Sequence, residues 1–278
     1  MKTYLIGPYG PLPNENWADY RFTNLGKKLS ANKRKVVWVT SSFSHHTKKQ
    51  RNIKNSSIKI NDYFYIKLIK TPSYQNNFGI KRLWFEFVFG VSAAFYLFKR
   101  NDIKFTITAG TNFTIHPFIS FICLLKNKPY AIDVLDLYPE HILKNTKSVL
   151  RLLLSILLMP VYALRKLEII GSAKMIYCSE NYMQHLVSDQ NKKHKVVFIG
   201  TSIDKNIPKQ IDLPIKKFSE KWIVYAGSLG ETYDMGVLKD VILKFSGNNK
   251  IRFFIAGKGP HEETFRRLKQ KNFHFLGD

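Results

Sequence analysis

The run richest in reactive groups is Tyr130-Ala131-Ile132-Asp133-Val134-Leu135-Asp136-Leu137-Tyr138-Pro139-Glu140-His141. A strand-like stretch passes straight into acids, an aromatic ring, a proline and a histidine. Carboxylates at a strand end can act on a hydroxyl, which makes Asp136 and Glu140 candidate catalytic residues. The same acids can instead cap the helix that follows. A second group is Gly7-Pro8-Tyr9-Gly10-Pro11, followed by Asn14 to Arg21. A glycine turn ahead of a helix lets backbone N–H groups approach an anion or a sugar. Gly10 and Arg21 are therefore candidate binding residues, with an ordinary turn and a solvated arginine as the alternative. Thr40 to Arg51 is polar and then basic. His45 and His46 point in different directions there and do not share a metal ion. His45 is a candidate contact for a phosphate or a substrate, with a flexible surface loop as the alternative.

Later in the chain, Gly227-Ser228-Leu229-Gly230 and Gly257-Lys258-Gly259-Pro260 each follow a strand-like run. Small turn residues beside a helix N-terminus can hold a diphosphate, and Lys258 can add a point charge. Gly227, Ser228, Gly230, Lys258 and Gly259 are the candidates, each turn being a weak signal alone and the pair a better one. The first turn lacks GxGxxG, so a dinucleotide site is poorly supported. Cys123 and Cys178 form no CxxC, which removes zinc and redox motifs from consideration; two buried thiols in a reducing cytoplasm are expected.

These residues need strands to carry them. Val-, Ile-, Phe-, Tyr- and Thr-rich runs predict strands at Thr3–Ile6, Val36–Thr40, Phe64–Ile69, Phe105–Thr108, Tyr130–Leu135, Met175–Cys178 and Val196–Ile199. Helical patterns such as Tyr20–Leu29 and Leu83–Phe98 lie between several of them, which predicts βαβ units and a parallel sheet. Lys205–Ser219 holds two prolines and no period, and reads as a linker. Beyond it the pattern restarts: strand Trp222–Ala226, helix Met235–Phe245, strand Ile251–Ala256, helix His261–Lys271, strand Phe273–Leu276. The expected organisation is a domain over 1–204, a linker over 205–219 and a partial second domain over 220–278, the chain being the front part of a longer one.

The 278 residues carry 44 Lys and Arg against 20 acids, a net charge of +24. Residues 1–60 alone hold twelve Lys and Arg against two acids. Such a balance favours anionic partners, namely phosphates, acidic lipid surfaces or nucleic acid. No helix-turn-helix, zinc finger or aromatic RNP pattern accompanies it, so nucleic acid is not expected. Leu83–Phe98, Phe113–Leu125 and Val149–Leu164 are unusually apolar and shorter than the roughly 20 residues of a membrane span. They read as buried helices, or as helices that insert partly into a bilayer face. Basic flanks at Lys81-Arg82, Lys99-Arg100 and 144–147 favour the second reading. The apolar run at the N-terminus is too short for a signal-peptide core, which points to the cytosol.

The order of these motifs resembles a known family. A Gly/Pro loop is followed by TSSFSH, a strand into DLYPE, SEN at Ser179–Asn181, the linker, YAGSLG at Tyr225–Gly230, FIAGKGP at Phe254–Pro260, and FLGD. The chain is similar to the family 4 glycosyltransferases of GT-B fold, particularly those of bacterial capsule and O-antigen assembly. Asp136–Glu140 matches that group's D-L-W-P-E run, with Tyr138 for Trp. The resemblance implies an α/β fold of two Rossmann-like, doubly wound parallel-sheet domains facing a cleft, the second incomplete here. It implies a retaining transferase of surface-polysaccharide (capsule, O-antigen, lipopolysaccharide) synthesis that takes a nucleotide sugar and needs no metal. Gly227, Ser228, Gly230, Lys258 and Gly259 would then bind the donor. Gly10, Arg21 and His45 would bind a lipid-linked or saccharide acceptor, and Asp136 would lie near the reacting sugar. The protein would work peripherally at the inner face of the membrane, on its anionic surface. The family's donor domain continues past FLGD into an E-x7-E motif, and where its basic pair often follows the glycine turn this sequence has Glu231-Thr232-Tyr233-Asp234-Met235-Gly236. An inactive or binding-only remnant of such a transferase is the alternative.

Overall fold

Alternating apolar strands and amphipathic helices build two compact units, Met1–Ile207 and Pro208–Asp278. The computed structural model describes residues 1–13, 15, 20–51, 55–77, 79–110, 114–137, 140, 143, 148–186, 194–197, 219–230 and 233–277. The linker expected over 205–219 lies outside the described residues apart from Ser219. So do Tyr138, Pro139 and His141 of the acid run, the basic flank at 144–147, and Glu231-Thr232.

In the first unit the strands are β1 (Lys2–Ile6), β2 (Val36–Ser41), β3 (Phe43–Ser44), β4 (Lys49–Gln50), β5 (Ser57–Lys59), β6 (Phe64–Ile69), β7 (Ile103–Ala109), β8 (Tyr130–Val134), β9 (Lys174–Tyr177) and β10 (His194–Val196). The helices are α1 (Arg21–Ala31), α2 (Ile80–Phe98), α3 (His116–Leu125), α4 (Ser148–Leu157), α5 (Met159–Gly171) and α6 (Glu180–Leu186). An eight-stranded sheet runs in the order β10-β9-β8-β7-β1-β2-β6-β5. Its neighbours pair in parallel except β5, which lies antiparallel on the β6 edge. The chain winds outward from β1 in both directions, so the strand order reverses between β1 and β7. In such a sheet the crevice beyond the C-terminal strand ends is where ligands bind.

The pleat divides the core. Tyr4, Ile6, Val37 and Val39 face Phe89, Ala93 and Leu97 of α2 and Ile119 and Cys123 of α3. Leu5, Val36, Trp38, Phe64 and Ile66 face Phe22, Leu25 and Leu29 of α1 on the opposite side. Three expectations need correction. The apolar run 149–164 is two helices, because Pro160 sits in the first turn of α5, where its missing N–H costs nothing, and a new helix starts there. The cysteines differ, Cys123 being buried and Cys178 only half-buried. The three apolar segments are not simply buried helices, since one side of each remains exposed.

The second unit holds β11 (Lys221–Ala226), α7 (Met235–Lys244), β12 (Ile251–Ala256), α8 (Glu262–Arg266) and β13 (Phe273–Gly277). Its sheet is parallel in the order β11-β12-β13. Leu229, Met235, Ile242, Phe253, Ile255, Phe265 and Phe273 form its core. α8 ends well before the expected Lys271, and Leu268 turns in to pack on that core. The fold is α/β throughout, with parallel sheets carrying their βα turns at one edge.

Candidate functional site

The C-terminal strand ends of the large sheet collect the charged and aromatic residues singled out above. Arg21 opens α1 directly after the β1 loop. Its Nε donates to Asp133 Oδ2 at 2.6 Å and its Nη2 to Asp133 Oδ1 at 2.7 Å. Its Nη1 reaches the Val197 carbonyl at 3.3 Å. The two side chains are 5% and 2% exposed. Burial raises the Asp133 carboxyl above its ordinary value, and the forked guanidinium of Arg21 opposes that rise. A solvated arginine is thereby ruled out. Arg21 instead ties β8 to the β1–α1 connection, across the point where strand order reverses.

Asp136 follows β8 and is exposed. Its charge raises the phenol of Tyr20, after the larger effect of burial. It acts likewise on Tyr182 and on the Cys178 thiol, burial again leading. Tyr20, Asp133, Asp136, Cys178 and Tyr182 therefore share one neighbourhood. Glu140 is held elsewhere. Arg165 of α5 donates Nη1 to its Oε2 at 2.9 Å and Nη2 to its Oε1 at 2.6 Å, so both carboxylate oxygens are engaged.

Gly10 has φ +110°, and a Cβ there would lie 2.6 Å from the Tyr20 ring. Only glycine suits that turn. Arg51 fastens it. Its Nη2 donates to the Gly10 carbonyl at 2.9 Å, its Nη1 to Ser41 O at 2.7 Å, and its Nε to Glu15 Oε1 at 2.7 Å. His45 accepts at Nδ1 from Lys48 Nζ at 3.3 Å and bonds the Tyr74 hydroxyl. Burial, then Lys48, Arg82 and His46, push its pKa down to about 3, so the imidazole is neutral. Beside it, Glu86 is buried. It bonds Tyr9 OH, accepts from Arg82 Nε at 3.0 Å, and accepts from Thr114 Oγ1 at 2.9 Å. Sequence reading singled out neither Asp133 nor Glu86. An acid inside a strand and an acid inside an apolar helix were the available signals.

In the second unit the two glycine turns meet. Leu229 N donates to Lys258 O at 2.9 Å, His261 N to Leu229 O at 3.1 Å, and Gly227 N to Ala256 O at 3.0 Å. Gly257 has φ +148°, and a Cβ there would fall 1.8 Å from Gly227 O; Gly259 has φ +157° and would meet Leu229 O at 2.3 Å. These glycines let one turn lie against the other. Ser228 and Lys258 are exposed at this edge. The N-terminus of α7 is already occupied, since Asp234 Oδ1 accepts from Val237 N at 3.0 Å. Among the described residues no cluster of His, Cys, Asp or Glu could hold a metal ion.

No family model matches the chain, and no curated protein matches it. Solved structures do. One described as trehalose-6-phosphate synthase OtsA is similar over 100% of this chain and 74% of its own, at TM-score 0.57 and 12% identity. Anabaena Alr3699/HepE in complex with UDP is similar over 100% of this chain and 69% of its own, at TM-score 0.53 and 12% identity. The same protein in complex with UDP and glucose gives TM-score 0.50 over the same shares. At such identities the likeness is one of fold, and the chain has the α/β, GT-B-like fold.

Proposed function

We propose that the chain is a nucleotide-sugar-dependent glycosyltransferase that retains anomeric configuration. Its parts would be an acceptor domain over 1–204, a linker over 205–219 and a donor-binding segment over 220–278. The observation that carries this reading is the pair of interlocked glycine turns at the C-terminal edge of a parallel sheet, in a fold shared with a UDP-bound protein. The donor diphosphate would lie on the turn Gly227, Ser228 and Gly230 and on Lys258 and Gly259. Asp234 already caps α7, and Gly227 N and Leu229 N are bonded across the turns, so the other turn amides and the lysine, rather than the helix end, would stabilise the leaving charge. That stabilisation needs no metal ion.

On the acceptor side, Gly10, Arg21 and His45 shape the rim that receives a lipid-linked or saccharide acceptor. Neutral His45 serves as a hydrogen-bonding group. Arg21 acts through Asp133, holding the strand end that carries Asp136. Asp136 would orient the acceptor hydroxyl toward the anomeric carbon. Glu140, clamped by Arg165, would fix the segment behind it. The basic surface suits synthesis of a surface polysaccharide on the anionic inner leaflet.

Thermal unfolding across a UDP concentration series tests the reading. A saturable upward shift is expected, reduced in Lys258→Ala. A sharp transition that UDP leaves unmoved would overturn it. For the acceptor side, Asp136→Asn should abolish most sugar transfer while leaving the UDP shift intact.

A further inference from the structure

We infer that the outer face of α2, α3, α4 and α5 docks on an anionic lipid bilayer, with α4 lying in the plane of the headgroup–acyl boundary. This rests on the reading of a lipid-linked acceptor and identifies the surface that would meet the lipid.

α2, α3 and α5 lie on one side of the large sheet and α4 extends that layer: α2 packs on α3, α3 on α5, and α4 on α5. The inward sides of α2, α3 and α5 supply the core. Their outward sides are apolar: Trp84, Phe87 and Phe95 on α2, Phe121 and Leu125 on α3, Leu167 and Ile170 on α5. α4 is the extreme case. Val149 is 76% and Leu157 72% exposed, with Leu150, Leu152, Leu153 and Ile156 also exposed. A helix apolar around most of its circumference is normally covered. Soluble monomers rarely expose so continuous an apolar surface.

Charge selects the occupant. The only acids on these helices are Glu86 and Glu168, and both are buried. Arg151 and Lys166 stand exposed among the apolar residues of α4 and α5, while cations at the ends of α2 and α3 fold back on aromatic rings. Lys99 Nζ sits 4.2 Å from the Phe95 centroid and Lys126 Nζ 5.5 Å from that of Phe98. Arg100 lies over the Tyr96 ring at 4.4 Å, beside a cavity of about 400 Å³ also lined by Lys2, Lys35 and Lys67, with Asp62 as its one acid. Apolar bodies with cationic tips at one rim match the depth profile of an anionic interface. A second copy of the chain would set the same cations against each other. No helix among the described residues is long and apolar enough to cross a membrane, so the face lies on the bilayer rather than through it. α2 also joins this face to the site: Leu83, Trp84 and Phe87 are exposed on the turns that carry Arg82 and Glu86. A lipid-linked acceptor would reach the Tyr9–His45 rim from the bilayer along those turns.

Flotation of the full chain with phosphatidylcholine vesicles, with and without phosphatidylglycerol, tests this. Flotation is expected with phosphatidylglycerol, weakened by high salt. Leu150→Ser/Leu153→Ser/Ile156→Ser alters exposed positions and should lower vesicle binding about tenfold or more. Lys99→Glu/Lys126→Glu should remove the preference for phosphatidylglycerol. Each variant is also given the UDP unfolding series, which reports its folding and its nucleotide site without lipid. A wild-type chain that stays at the bottom of both gradients overturns the docking face, even if UDP shifts it. So does a triple-serine variant that floats like the wild type, or a lipid-independent dimer that the serines dissolve. Flotation without any UDP shift leaves the docking face standing and overturns the transferase reading.

Discussion

The two candidate ligand edges are made of different materials. At the edge of the large sheet, side chains hold side chains: Arg21 with Asp133, Arg51 with Glu15, Arg82 with Glu86, Arg165 with Glu140. In the small unit, main chain holds main chain, with glycines where two turns touch. An edge of paired charges can be retuned one residue at a time, yet losing one partner strands the other. An edge of backbone tolerates new side chains beside it and resists only a Cβ in the wrong place.

The largest effect should come from the first kind of edge. Asp133→Ala leaves the Arg21 guanidinium buried without its carboxylate. A loss of about 3–5 kcal/mol in denaturant unfolding is expected. Replacing both, as Arg21→Met/Asp133→Leu, should recover much of it, because no charge is then stranded. A single variant within about 1 kcal/mol of the wild type would show that water reaches the arginine. The second kind of edge should respond next. Gly257→Ala forces a Cβ against Gly227 O at a φ that L-residues avoid, and should cost about 3 kcal/mol together with the UDP shift. Ser228→Ala, at an exposed position of the partner turn, should stay within about 0.5 kcal/mol.

This difference also governs what can be read from sequence. The strands were legible because β-branched and aromatic runs between turn residues have few other uses; Phe64–Ile69 and Ile251–Ala256 match to the residue. The glycine turns were legible as a pair because glycine marks unusual backbone wherever it falls. Their reason was not: Gly257 and Gly259 make room for the opposite turn, a contact about 30 residues away in sequence. Arg21 and Asp133 are further apart still, and nothing local in YAIDV separates a strand acid bound for a partner from one facing water. Short β3, β4 and β5 escaped because two or three residues carry no period. Pro160 was visible inside its apolar run, but as an interruption rather than as the start of α5.

A smaller effect belongs to the large unit and is read by pH. Glu168 is 7% exposed. Burial raises its pKa to about 7, with Arg165 opposing. The folded state holds that proton more tightly than the unfolded one. The protonated state therefore carries the stability, which falls as pH rises from the ordinary carboxyl value through 7 and then levels. His116, buried and pushed down to about 3, has the opposite sign: its stability is full above the ordinary imidazole value and is lost as pH falls toward 3. The two slopes oppose each other in mildly acid solution. Glu168→Gln removes one of them. Relative to the wild type it should gain up to about 2–3 kcal/mol between pH 4.5 and 7, and nothing further above. Equal pH profiles for both proteins would show that Glu168 has an ionised partner in solution. The small unit's own buried acid, Glu220, is paired instead with Arg252, whose Nη2 donates to its Oε1 at 3.1 Å.

The smallest predicted effect lies where the two materials meet, at Asp234. Its carboxylate accepts from Val237 N at the start of α7, and with the Tyr225 hydroxyl, which donates to Ser228 O at 2.7 Å, it is a side chain bonded into an edge built mainly of backbone. Asp234→Ala removes the cap and should cost about 1 kcal/mol. Asp234→Asn keeps the cap, because an amide oxygen accepts the same N–H, and should stay within a few tenths of a kcal/mol of the wild type. The pair of variants separates the bond from the charge. A diphosphate resting on the neighbouring turns would be repelled by the aspartate and not by the asparagine. Asp234→Asn should therefore bind UDP a few-fold more tightly at low salt, and the gain should fade as salt is added. A stable Asp234→Asn protein with unchanged UDP affinity at low salt would put the anion out of range of α7.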